Sequence, residues 1–171
     1  IIETTDISMN GKLTVTGDVV LDGSINGINI GRGNNAASDT NVAVGYNVLT
    51  SNTGTNNTAF GSSALYSNTS GNHNTATGAY SLNKNITGQY HTANGTYALY
   101  SNTTGHSNTA SGYRSLFSNN TGNYNVATGS QALLANTTGI KNTATGNNAL
   151  YSNINGNYNT ATGNNALYSN I

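Results

Sequence analysis

From residue 41 onward, small and apolar side chains return at fixed distances, and the residues between them are mostly amides, hydroxyls and glycine. With one glycine taken as phase marker, the series runs Gly45, Gly61, Gly78, Gly95, Gly112, Gly129, Gly146 and Gly163, in six steps of seventeen residues and one of sixteen at the start. Ala stands two residues before every marker, from Ala43 to Ala161, and Leu four residues after it, from Leu49 to Leu167. The residue ahead of that Leu is Ala, Ser81, Ser115 or Val48, and a second glycine, from Gly54 to Gly156, closes each unit. The stretch from Asn142 to Asn153 recurs letter for letter from Asn159 to Asn170. Such a period marks a repeat architecture, in which each unit buries its apolar side only by stacking on the next.

Two glycines per unit, with Asn and Thr between them, are close to the worst composition for a helix interior. The same punctuation suits a parallel β-solenoid, or β-roll, in which each seventeen-residue coil holds two short strands joined by turns that need positive φ or close backbone approach. Thr-Ala-Thr is expected to form the first strand, and Ala-Leu with the residue after it the second. Coils stacked about 4.8 Å apart make eight copies into a rod roughly 40 Å long. An amide that recurs at one phase can pass a hydrogen bond from rung to rung. Asn52, Asn68, Asn85, Asn102, Asn119, Asn136, Asn153 and Asn170 are the candidates, and the competing reading is that they supply left-handed turn geometry. A disordered tract of this composition would tolerate loss of phase, whereas Ala, Gly, Leu and Asn keep register through all eight copies.

The preceding segment carries short alternating runs bounded by glycine, over residues 12–23 and 24–31, which read as strands. The chain therefore divides into a β-structured shaft or linker at 1–40 and an eight-copy solenoid at 41–171. Each coil offers one Leu, one Ala, one Ala or Ser, and an often aromatic residue after the Leu, as at Tyr66, Tyr100, Phe117, Tyr151 and Tyr168. At about 25 cal/mol per Å² of buried apolar area, that returns only a few kcal/mol per coil against the cost of ordering it. A lone thin solenoid is expected to be marginal, and the invariant small Ala fits close approach of a second backbone. Three chains in cyclic symmetry, a homotrimeric fibre, are the expected solution.

Composition narrows the function classes. Charged residues are 6% of the chain, five basic against five acidic, so nothing draws it electrostatically to nucleic acid. All five acids (Glu3, Asp6, Asp18, Asp22, Asp39) precede residue 40, which marks the same boundary as the repeats. No apolar run is long enough to span a bilayer, so no membrane insertion is expected of this stretch. The first residue is Ile and the last unit is cut short, so the chain reads as a fragment. The absence of Cys excludes a disulfide scaffold and a thiolate metal site.

The first copy, Asn41-Val42-Ala43-Val44-Gly45, is similar to the Asn-Ser-Val-Ala-Ile-Gly repeat in the heads of trimeric autotransporter adhesins. The later copies, Asn-Thr-Ala-x-Gly-x-x-Ala-Leu, resemble the repeats of phage tail fibres and related trimeric fibres. The resemblance spans residues 41–171 and implies a trimer of β-rolls on an extracellular, cell-surface or virion-borne fibre. It also implies a structural and adhesive role, with a cell-surface glycan or protein as receptor. Phage fibre and bacterial surface adhesin both remain open.

No catalytic site, metal site or cofactor is expected. Acids are absent from the repeats, which removes paired-carboxylate chemistry there. His73, His91 and His106 fall at three different phases and are expected to be solvated. The Gly31-x-Gly33 pair lacks the rest of a nucleotide fingerprint and reads as a hinge. The least regular phases are the two residues after each marker glycine and the two after the second glycine. They carry Tyr46, Tyr80, Tyr97 and Tyr113 in the first loop, and His73, Tyr90, Tyr124, Lys141 and Tyr158 in the other. Tyr among Asn and Ser offers large contact area with a polar tip, so these are the candidate surface-binding residues. The plainer alternative is that stacked Tyr only covers the coil edge. An ice-binding solenoid is the rival function, since Thr75 and Thr77, Thr143 and Thr145, and Thr160 and Thr162 form Thr-x-Thr pairs. The equivalent positions elsewhere hold Val42, Val44, Phe60, Asn94, Ser111 and Val126, which points instead to β-branched packing.

Overall fold

The computed structural model describes Ile30, Gly31 and residues 40–170. The chain there is all-β: β1 (Ile30–Gly31), β2 (Val42–Val44), β3 (Thr58–Phe60), β4 (Thr75–Thr77), β5 (Thr92–Asn94), β6 (Thr109–Ser111), β7 (Val126–Thr128), β8 (Thr143–Thr145) and β9 (Thr160–Thr162). Strands β2 to β9 are parallel, one per coil, and pair in chain order; β1 lies antiparallel along the outer edge of β2. The register is the sequence repeat itself, with Ala76 opposite Ala93 and Ala93 opposite Ala110. This is the expected β-solenoid with seventeen-residue coils. Gly31 lies in β1 and pairs with Ala43 of β2. Gly33, the five acids and the remaining expectations for residues 1–40 lie outside the described residues.

Side chains alternate across a strand, so the central Ala points inward and its two neighbours outward. Ala59, Ala76, Ala93, Ala110, Ala127 and Ala144 are fully buried. They are buried inside their own chain. The small Ala is explained by the width of one coil, and it gives no support to a second backbone passing close by.

The second expected strand is absent among the described residues; the Ala-Leu segment is a turn. The Leu has φ between +48° and +52° in every coil, a left-handed conformation that costs an L-residue about 1–2 kcal/mol. Two contacts hold it there. From Leu49 to Leu150, its N–H donates to the carbonyl of the residue ahead of the next coil's Leu, at 2.9–3.4 Å. Its side chain fills the space between coils, fully buried from Leu49 to Leu150. Leu167, on which no described coil stacks, is 51% exposed, which shows how much cover a neighbouring coil provides. From Ala64 to Ala149 the residue ahead of the Leu is also buried, and Val48 and Ala166 in the end coils are partly so. Ser is tolerated there because Ser81 and Ser115 donate their hydroxyls to the Gly78 and Gly112 carbonyls, at 2.8 and 3.0 Å.

The two glycines of each coil have different reasons. The marker takes φ of +123° to +138°, and at Gly95 an added Cβ would lie 2.6 Å from the Gly112 carbonyl oxygen of the next coil. The second glycine is a close approach: at Gly88, a Cβ would collide with the Asn85 amide oxygen and the Gly105 carbonyl.

Those amides form the polar half of the core. Each Asn from Asn68 to Asn170 donates its side-chain N–H to the Oδ1 of its counterpart one coil back, at 2.5–3.1 Å. From Asn52 to Asn153 they also donate to the second glycine's carbonyl, at 2.8–3.3 Å. None of these Asn has positive φ, so the ladder reading holds and the turn-geometry reading does not.

A second ladder runs through Asn41, Asn57, Asn74, His91, Asn108, Asn125, Asn142 and Asn159. From Asn41 to Asn142, the Oδ1 of each Asn accepts the backbone N–H of its counterpart one coil on, at 2.7–3.0 Å. From Asn41 to Asn142, each Asn donates its Nδ2 to a second-glycine carbonyl, at 2.7–2.9 Å. A buried polar group left unpaired costs about 1–3 kcal/mol, so the two ladders fix coil register as strictly as the apolar core does.

Candidate binding surface

The irregular positions lie on the outside of the coil and form columns along the rod. Tyr80, Tyr97 and Arg114 share one column, two residues after the marker; His73, Tyr90, Tyr124, Lys141 and Tyr158 share another, two residues after the second glycine. Both columns are left-handed, with φ of +53° to +60° in every described coil. From Ser63 onward in the first column and from His73 onward in the second, each of these N–H groups donates to a carbonyl one coil back, as Tyr97 does to Ala79 at 3.0 Å and Tyr90 to Asn72 at 3.1 Å. The stacked coils therefore impose the conformation, and any side chain can ride on it. That explains why these positions vary.

All the candidate side chains are exposed except Tyr97, which is half-buried. They do not converge on one site. Tyr80 stacks on Tyr97 at 5.1 Å, His73 stacks on Tyr90 at 5.1 Å, and the Lys141 ammonium lies 5.2 Å from the centre of the Tyr158 ring. Tyr113 flanks the Arg114 guanidinium at 5.5 Å. Among the described residues, Tyr46 and Tyr124 stack on no other ring.

Sequence reasoning missed the neighbours of Tyr97. The residue after the Leu reads as core in the sequence, yet Tyr66 and Tyr168 are exposed, and Tyr100, Phe117 and Tyr151 are half-buried. An inward Leu in a turn sends the next side chain out. Tyr100 stacks on Phe117 at 5.2 Å, and both meet Tyr97 edge-on, at 5.6 and 6.2 Å.

His91 corrects another expectation. His73 and His106 are exposed, but His91 is buried in the second ladder in place of Asn. The Asn108 backbone N–H donates to its Nδ1 at 3.1 Å, which places the ring proton on Nε2, where it donates to the Gly105 carbonyl at 2.7 Å. The Asn102 amide nitrogen, 3.1 Å from Nε2, is then a close neighbour and not a donor to it. Burial lowers the imidazole pKa from 6.5 to about 4, with a smaller push from the nearby His106; the Gly105 carbonyl opposes it.

The outward residues of β2 to β9 make a third surface, two in-register columns without a charged side chain. One reads Val42, Thr58, Thr75, Thr92, Thr109, Val126, Thr143 and Thr160. The other reads Val44, Phe60, Thr77, Asn94, Ser111, Thr128, Thr145 and Thr162. Val42 and Phe60 are 49% and 53% exposed. No protein family, no curated protein and no solved structure matches this chain.

Proposed function

We propose that this chain is a structural and adhesive segment of an extracellular or virion-borne fibre, in which three copies associate side by side as a rigid spacer. The observation that carries the reading is the commitment of the whole interior to rung-to-rung contact: Leu, Ala and two amide ladders hold each coil to the next. Such an interior serves extension along one axis. The uncharged strand face, with Val42, Phe60 and Val126 exposed, is the surface the three copies share in this proposal. Variable side chains on an invariant backbone supply the adhesive part. Small-angle scattering tests it: an elongated particle with the cross-section of three chains is expected, and a single-chain cross-section contradicts the fibre.

A second reading, ice binding, is favoured by the outward Thr columns of β3 to β6 and β8 to β9, which are in register. Their interruption by Phe60, Asn94, Ser111 and Val126 ranks it second. No thermal hysteresis is expected at micromolar protein, and a clear freezing-point gap would reverse the ranking.

A further inference from the structure

We propose that Tyr80, Lys84, Tyr97, Tyr100, Arg114 and Phe117 form one binding patch for a carboxylate-bearing polysaccharide laid along the rod. The proposal rests on the adhesive reading and gives it a place and a ligand class. Two stacked ring pairs, Tyr80 with Tyr97 and Tyr100 with Phe117, are joined edge-to-face through Tyr97 into one aromatic surface crossing several coils. The Arg114 guanidinium lies 5.0 Å from the centre of the Phe117 ring and 5.9 Å from that of Tyr97, and the Lys84 ammonium 5.0 Å from that of Tyr100. No Asp or Glu occurs among the described residues, so both cations rest on rings without a carboxylate partner there. Cation–π contact at a surface contributes about 0.5–1 kcal/mol, which holds the side chains in place and leaves their charge unneutralised.

The ligand class follows from what the patch presents. Stacking uses up the ring faces between coils, so edges, phenol hydroxyls and two positive charges remain. Ring edges carry the positive end of the aromatic quadrupole, which suits an anion. Two cations are too few for a phosphate backbone, whose affinity comes from neutralising many charges. A uronate chain needs one charge contact per acidic sugar and offers hydroxyls to Tyr80, Tyr97 and the neighbouring Ser and Thr. The patch is also local: at the Arg114 position the coils outside it carry Asn47, Ser63, Gln131, Asn148 and Asn165, while Tyr80 and Tyr97 of the patch hold the other two, and at the Lys84 position all other coils carry Ser or Ala135.

Those neighbours supply the test variants, because Arg114→Gln and Lys84→Ser install residues that other coils already hold. Binding of alginate, a polyuronate, to the immobilised chain is measured with dextran as the neutral comparison. Wild type is expected to bind alginate and not dextran, and the double variant to lose about tenfold or more in affinity, roughly the worth of one charged contact. Lys141→Ser, which removes a cation on the other column, is expected to lose much less affinity than the double variant. Absence of alginate binding, equal binding of dextran, or equal losses in Lys141→Ser and the double variant would each overturn the patch. Cell attachment that survives in the double variant removes the patch while leaving the adhesive reading in place. Attachment lost in the double variant but unaffected by soluble alginate overturns the ligand class in favour of a protein partner.

Discussion

Replacing His91 by Asn should remove most of the acid sensitivity of the rod. In the folded chain the imidazole is held neutral, its pKa lowered to about 4 by burial, with the Asn108 N–H occupying the nitrogen that would take the second proton. In the unfolded chain it titrates at the ordinary 6.5. Above pH 7 neither state holds the extra proton and the contribution to stability is complete. Between 6.5 and 4 only the unfolded chain binds it, so stability falls with pH; below 4 both bind it and the loss levels off. Linkage gives a loss of about 2 kcal/mol at pH 5 and about 3 kcal/mol at pH 4. Asn at this position makes the same two bonds, through Oδ1 and Nδ2, as Asn74 and Asn108 do, and it does not titrate. Urea unfolding followed by circular dichroism from pH 8 to pH 4 should show the two proteins converging on equal or slightly higher stability of His91→Asn at pH 8. At pH 4 the variant should lead by about 3 kcal/mol. Taking the difference between the two proteins cancels every titrating group that does not interact with residue 91. A gap that changes by less than about 0.5 kcal/mol across that range would refute the placement of a neutral, buried His91 in the ladder.

Asn119→Ala breaks the first ladder in mid-rod and leaves Asn102 Oδ1 and Asn136 Nδ2 each short of a partner; a loss of about 2–4 kcal/mol in chemical unfolding is expected. Gly95→Ala places a methyl 2.6 Å from the Gly112 carbonyl oxygen at φ +138°, and a loss above about 3 kcal/mol, or failure to fold, should appear in the same assay. Leu116→Ala empties the fully buried position between coils, with an expected cost of about 2–5 kcal/mol. The same substitution at Leu167, half exposed, should cost less than half as much.

The features that repeat without exception were legible in the sequence. The Ala, Leu and Asn phases gave the coil length, the Thr-Ala-Thr strand and the first ladder, because each serves a contact that every coil must make. What was misread depended on backbone direction. A Leu at positive φ runs against its local preference, and only the stacked coils enforce it, so in sequence the Ala-Leu segment reads as a strand and the aromatic after it as core. The Asn41 to Asn159 ladder is present as a recurring letter, but His91 interrupts it and by sequence reads as a surface residue. Imidazole and carboxamide share an acceptor and a donor in similar places, and that equivalence shows only once the bonding partners are known. The candidate surface was legible as irregularity. Its division into separate columns, and the cluster around Tyr97, depend on which phases lie side by side in space.

Association of three chains is the central claim, and because the Leu, Ala and Asn interior is closed within one copy, the three copies in this proposal meet through their outer faces. Light scattering coupled to size exclusion measures it directly. The account predicts a stable mass three times the 17.5 kDa of the chain, unchanged on dilution through the micromolar range. A stable particle of a single chain mass would contradict it.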